Sequence, residues 1–274
     1  NMVAIGTAIR LITLVFVLSY GRWFSDLSGI IVGSSAVALA VTAEAIYAQL
    51  AVRRILRGIL SKENVSEQVT RKSFIRFYLP LAITPLASLL IHPVGSAGMS
   101  RMPEALPSLA AWPVVYGLVF ITRSLGFAFN EVVVALLPHP NGKLELLRFT
   151  RILAISTSAF LGVLALTPIG GYWFLYVAGL SEELAYISSI TLVFAILMPG
   201  YQAYQAWYSG LLVNKNQTNG ISFAVLIYAI IAIIGLWIGT RLATFPGIYW
   251  AVNVFVFAGL SQTLYLRYSY KRIG

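Results

Sequence analysis

The chain has 274 residues, 59% hydrophobic and 10% charged, with a mean hydropathy of +0.83. A soluble domain carries about 25% charged residues, so a soluble globular fold is excluded. The net charge of +10 sits in flanks beside apolar segments, which is a topology signal and not a nucleic-acid footprint. The absence of cysteine excludes disulfides, thiolate metal sites and a cysteine nucleophile.

Eight apolar segments approach the roughly 20 residues that a spanning helix needs. They cover 2–20, 28–54, 74–95, 107–137, 149–168, 182–213, 219–239 and 246–270. The polar–apolar alternation of a membrane barrel is absent, so an all-α integral membrane protein is expected. The first segment holds Arg10 and the second Glu44, which can be a structural ion pair or, in Glu44, a carboxylate that couples transport to an ion. The stretch 55–73 is the longest polar connection. The RRILRGIL that leads into it reads either as an interfacial amphipathic helix or as an ordinary positive flank.

In 74–95, Thr84, Ser88 and His92 fall at i, i+4 and i+8 on one face, and Pro80, Pro85 and Pro93 interrupt the backbone ladder. Broken helices line many membrane sites, and prolines also serve as plain kinks. In 107–137, Tyr116, Arg123 and Asn130 are spaced by seven, with Phe127 between them and Glu131 beside Asn130. A charge at mid-bilayer costs roughly 2.5–3.5 kcal/mol, so such residues face a cavity or a partner. Arg123 and Glu131 stand about 12 Å apart along a helix axis and cannot pair directly.

Within 182–213, MPGYQAYQAWYSG places Tyr201, Gln205 and Tyr208 on one face with Gln202 and Tyr204 flanking it, either a ligand surface or a polar packing face. Asn253 and Gln262 lie in the last segment, and His139 is a turn residue in PHPNG. No metal motif occurs, and Gly142-Lys143 lacks the glycine spacing of a phosphate loop. The chain is therefore expected to be no enzyme and to hold no metal or cofactor, any transport being driven by an ion gradient or the substrate's own.

Fourteen Lys and Arg fall in the connections 53–76, 137–151 and 214–219 and in the tail, against Arg22, Arg101 and Arg241 on the other side. This places both chain ends in the cytoplasm, at the plasma (inner) membrane. The sequons NVS and NQT fall on the cytoplasmic side and read as chance matches.

An internal repeat is also visible. Shifting the sequence by 218 residues brings Asn1 onto Asn219, Ile12 onto Ile230, Gly21 onto Gly239, Gly29-Ile30 onto Gly247-Ile248, Ala40 onto Ala258, Tyr47 onto Tyr265 and Arg54 onto Arg272, without a gap. The first two segments then correspond to the last two. Residues 1–54 are read as the last two helices of one lobe, 55–73 as a basic linker and 74–274 as a complete six-helix lobe. The lobes would be parallel repeats, and four further helices are expected before Asn1.

Two six-helix lobes, a basic linker and a broken first helix in the second lobe resemble the multidrug, oligosaccharidyl-lipid and polysaccharide exporter superfamily, with its MATE-like two-lobe helical bundle. FYLPLAITPLASLLIHPVGSAGMSR (77–101) is similar to the progressive ankylosis protein family's aromatic run, Pro-Leu-Ala, Ile-x-x-Pro and Ser-Arg. GFAFNE (126–131) is similar to its Gly-x-x-x-Thr-Glu, with Asn130 where that family has threonine. The resemblance covers Phe77 to Leu137, reaches Pro80, Pro93, Ser100, Arg101, Gly126 and Glu131, and implies export of organic anions, with Arg101 and Arg123 as cationic groups near the substrate.

The expected function is that of a secondary transporter, working as an antiporter or on the substrate's own gradient by alternating access of two lobes. Its partners would be the lipid bilayer and a small anionic or amphipathic substrate, with no nucleic acid. The candidate cavity residues are Arg123, Asn130, Glu131, Tyr116, His92, Ser88, Tyr201, Gln205 and Arg101, and the coupling candidates are Glu44 and Glu131. Two other readings stay open: a non-transporting subunit of a larger membrane complex, and a flippase for lipid-linked oligosaccharides.

Overall fold

The computed structural model describes residues 2–24, 28–58, 71, 92–215 and 217–273. These form α1 (Met2–Phe24), α2 (Gly29–Gly58), α3 (92–99), α4 (Ala105–Leu136), α5 (Gly142–Leu166), α6 (Pro168–Tyr172), α7 (Glu182–Ala195), α8 (Leu197–Asn214), α9 (Asn219–Leu242) and α10 (Gly247–Ile273). A π-helical turn, Trp173–Val177, extends α6. There is no strand among the described residues.

The protein is all-α and built for a membrane. Among the described residues, six segments are long and apolar enough to cross one: Gly29–Arg53, Ala105–Leu136, Gly142–Leu166, Glu182–Asn214, Asn219–Leu242 and Gly247–Arg272. This is two fewer than the eight expected. The apolar stretch of α1, Ile5–Gly21, is shorter than these six, and the segment expected at 74–95 lies outside the described residues as far as Ile91. The expected linker at 55–73 is described only at 55–58, where α2 continues, and at Arg71.

Three boundaries differ from expectation for local reasons. Helix α5 begins at Gly142, seven residues early, because the turn at Asn141 (φ 63°) returns the chain directly into helix. Leu144 and Glu145 donate their N–H groups to the Asn141 carbonyl. The charged residues Lys143, Glu145 and Arg148 had hidden this turn from a hydropathy reading. The span 182–213 is interrupted at Ile196, since Pro199 has no N–H to offer the Ala195 carbonyl. The third difference is at 168–177, which is helical where a connection was expected.

The residues divide into two compact units, Asn1–Ser73 and Phe74–Gly274. The first contains the hairpin α1–α2. Ala36 and Ala40 are buried in its seam, and Arg10 Nη1 lies 3.2 Å from Glu44 Oε2. The second unit contains a hairpin of the same design. The 218-residue shift carries the end of α1 at Phe24 onto the end of α9 at Leu242, and the start of α2 at Gly29 onto the start of α10 at Gly247. It also carries a contact. A Cβ at Gly21 would strike the Val32 side chain, and one at Gly239 would strike Trp250, the counterpart of Val32. Ala40 and its counterpart Ala258 are both buried.

In the second unit, α8 lies between α4 and α10, and small residues set the approach, as is usual where no hydrophobic drive operates between lipid-solvated helices. Gly126 of α4 leaves room for the Gln202–Ala203 backbone of α8, and Gly210 of α8 receives Val133 of α4. Gly259 of α10 receives the ring of Tyr201. One core runs through these helices, with Phe174, Leu161, Leu192, Ile248 and Val252 fully buried.

The start of α10 is tied to α4. The Ile248 N–H donates to Ser108 Oγ at 3.2 Å, and the Gly247 N–H donates to the Pro103 carbonyl at 3.0 Å. Ser108 is fully buried, so its hydroxyl supplies the acceptor that a free helix N-terminus lacks. Ser108→Ala is expected to cost about 1–2 kcal/mol, read as a lower midpoint of thermal unfolding in detergent with unchanged helicity. An unaltered midpoint would show that the bond contributes nothing.

Candidate functional site

A groove of about 420 Å³ opens among α3, α4, α8, α9 and α10. Its α4 wall is Trp112, Tyr116, Arg123, Gly126, Phe127 and Asn130, which spans about 27 Å at 1.5 Å per residue. The α8 wall is Met198, Gln202, Gln205, Ala206, Ser209 and Val213. His92 comes from α3, Ile221, Val225 and Tyr228 from α9, and Phe255 and Gln262 from α10. Among the described residues, no Asp or Glu lines it.

Arg123 is the fixed charge of the groove. It sits 18 residues into a 32-residue helix, far from either end. Its Nη2 donates to Gln202 Oε1 at 2.7 Å, and its guanidinium lies over the rings of Phe127 at 5.5 Å and Tyr201 at 5.8 Å. Its Nε is buried and has no hydrogen-bond partner. Among the described residues Arg10 and Glu44 form an ion pair, and no carboxylate pairs with Arg123. The positive charge is thus held by a neutral amide and two ring faces, with the buried Nε–H left without an acceptor.

A second unpaired polar end lies two helical turns along the same face, where Asn130 Oδ1 is buried without a donor among the described residues. The amide can present oxygen or nitrogen there by rotating about χ2. Gln205 Nε2 donates to the Gly259 carbonyl at 3.0 Å and to Gln262 Oε1 at 3.2 Å, joining α8 to α10 along the groove floor. The other end of the groove is aromatic. His92 meets the edge of Tyr116 with ring centroids 4.1 Å apart, Trp112 lies 5.4 Å from Tyr116 and 5.6 Å from Phe255, and Tyr228 lies parallel to Phe255 at 6.4 Å.

The structure therefore brings Arg123, Asn130, Tyr116, His92 and Gln205 together on one groove. It does not bring the other candidates there. Glu131 is exposed and does not line the groove, because eight residues from Arg123 turn it about 80° around the helix. Arg101 is exposed in the turn before α4, whose first residue, Ala105, lies about 27 Å along the helix axis from Arg123. Tyr201 is buried against Gly259 and touches the guanidinium from behind, so it supports Arg123 without lining the groove. Glu44 belongs to the other unit, paired with Arg10, and Ser88 lies outside the described residues.

The sequence reading missed the face that α8 presents. Gln202, Gln205 and Ser209 line the groove; of the expected face Tyr201, Gln205 and Tyr208, Gln205 does and the two tyrosines do not. The pattern of polar residues at i, i+3 and i+7 was the available signal, masked by three tyrosines that drew attention to a neighbouring face. Trp112, Tyr228 and Phe255 gave no signal, since aromatic residues are common in any membrane helix.

Chemically, the groove offers a cation, several neutral amides and flat apolar rings. Searches of family models, curated proteins and solved structures return no match to this chain.

Proposed function

We propose that the chain is a secondary transporter of the MATE-like kind, carrying an organic anion with an aromatic or apolar body, with both ends on the cytoplasmic side of the plasma membrane. The observation that carries the reading is Arg123. A guanidinium in the middle of a spanning helix, with a buried Nε unpartnered and no carboxylate on the groove walls among the described residues, is costly unless an anion completes it. A carboxylate, sulfonate or phosphate would accept from Nε, as the forked guanidinium favours. The aromatic end would cover the rest of the ligand, and the Asn130 amide would meet a polar group on it.

The test uses 2-naphthalenesulfonate, which is permanently anionic and aromatic, and 2-naphthylmethylammonium, a cation of the same shape. The purified chain in lipid nanodiscs is expected to bind the sulfonate in calorimetry and to ignore the ammonium, and proteoliposomes loaded with the sulfonate should release it. Preference for the cation, or no binding of either, would overturn the reading.

A further inference from the structure

The repeat identifies a second site. Four groove-lining residues of α9 and α10, Val225, Tyr228, Phe255 and Gln262, correspond under the 218-residue shift to Thr7, Arg10, Val37 and Glu44 of α1 and α2. The correspondence is structural as well as sequential, since helix ends and the Gly21–Val32 and Gly239–Trp250 contacts coincide under the same shift. Arg10 and Glu44, the ion pair of the first hairpin, thus occupy the positions that Tyr228 and Gln262 hold on the ligand-facing side of the second.

The pair is also accessible. The Arg10 side chain is 45% exposed and that of Glu44 26%, while the hairpin around them is apolar. Ionisable groups within membrane spans are rare and mark ligand or ion paths.

We propose that Arg10 is a second binding point for the same class of anion, and that Glu44 is its built-in occupant. The acid group of the ligand takes the place of the Glu44 carboxylate on the Arg10 guanidinium, and leaves when Glu44 returns. No bond is made or broken, since one carboxylate–guanidinium contact is exchanged for another. This inference rests on the anion reading of the Arg123 groove.

The experiment is calorimetric titration of the full chain in nanodiscs with 2-naphthalenesulfonate, with Arg123→Ala present to silence the groove. In that background the residual binding is expected to be weak. Adding Glu44→Gln should tighten it about fivefold or more, because the competing carboxylate is gone. Adding Arg10→Gln in its place should abolish it. The opposite signs are the signature, since breaking a purely structural pair from either side would shift binding in the same direction or not at all, and that outcome overturns the proposal. Arg10→Lys provides a second variant should Arg10→Gln not fold, with partial retention expected from a charge that has lost its fork. Failure of the groove reading is separate: there the wild type and Arg123→Ala bind the sulfonate equally.

Discussion

Arg123→Ala is expected to weaken binding of 2-naphthalenesulfonate by roughly 2–5 kcal/mol, between about thirtyfold and a few thousandfold, without loss of folded protein. The range is that of removing one partner from a desolvated charged contact. The folded state should survive because the residue's contacts within the groove are one amide, Gln202, and two ring faces, Phe127 and Tyr201. Removing a guanidinium that has no counter-charge also relieves the insertion cost of about 2.5–3.5 kcal/mol. The thermal midpoint should therefore stay level or rise as binding falls. Arg123→Lys should fall between, since the ammonium keeps the charge but has no Nε to direct at the ligand. If Arg123→Ala instead lowered the midpoint and left binding intact, Arg123 would be a strut for α8 and the anion reading would fail.

Gly259→Val is expected to produce the largest loss of stability, at the upper end of the 1–3 kcal/mol typical of overpacking or beyond it. The ring of Tyr201 occupies the space that any side chain at 259 would need, and the ring is itself fully enclosed. It has no open volume to retreat into. Either α10 moves away from α8, which separates Gln205 from the Gly259 carbonyl that it now reaches at 3.0 Å, or the ring is driven toward Arg123. The check is the thermal midpoint in detergent together with calorimetry. A variant as stable as the wild type would show that the α8–α10 seam is looser than the contact implies. Gly117→Val is the control, because among the described residues nothing beyond its own helix backbone lies within 4 Å of the position a Cβ would take there.

Composition and hydropathy were enough to read the class of fold and the positions of the long helices, because burial in lipid demands uninterrupted apolar runs. Starts within charged turns were not legible, as at Gly142, where Lys143 and Glu145 belong to the helix although they look like loop. The seven-residue spacing of Tyr116, Arg123 and Asn130 placed one wall of the groove correctly, since a single helix face follows from periodicity alone. The opposite wall depends on how α8 is rotated against α4. That rotation is set by the absence of side chains at Gly126, Gly210 and Gly259, and small residues of this kind are too frequent in membrane helices to be singled out in advance. The repeat was legible as residue identities. Its contact, Gly21 on Val32 matched by Gly239 on Trp250, was not, because the paired residues differ and only the gap they fill is shared.

The bond between Ser108 and Ile248 joins residues 140 positions apart, and this has a consequence for the order in which the chain matures. Each hairpin closes on neighbours a few tens of residues away and can form soon after its two helices enter the bilayer. The clasp cannot, because its donor belongs to α10, 140 residues on, and a closure that long carries the greater entropic cost. Until α10 docks, the groove lacks its α10 wall. The binding surface is thus completed in the same event that fastens the start of α10 to α4.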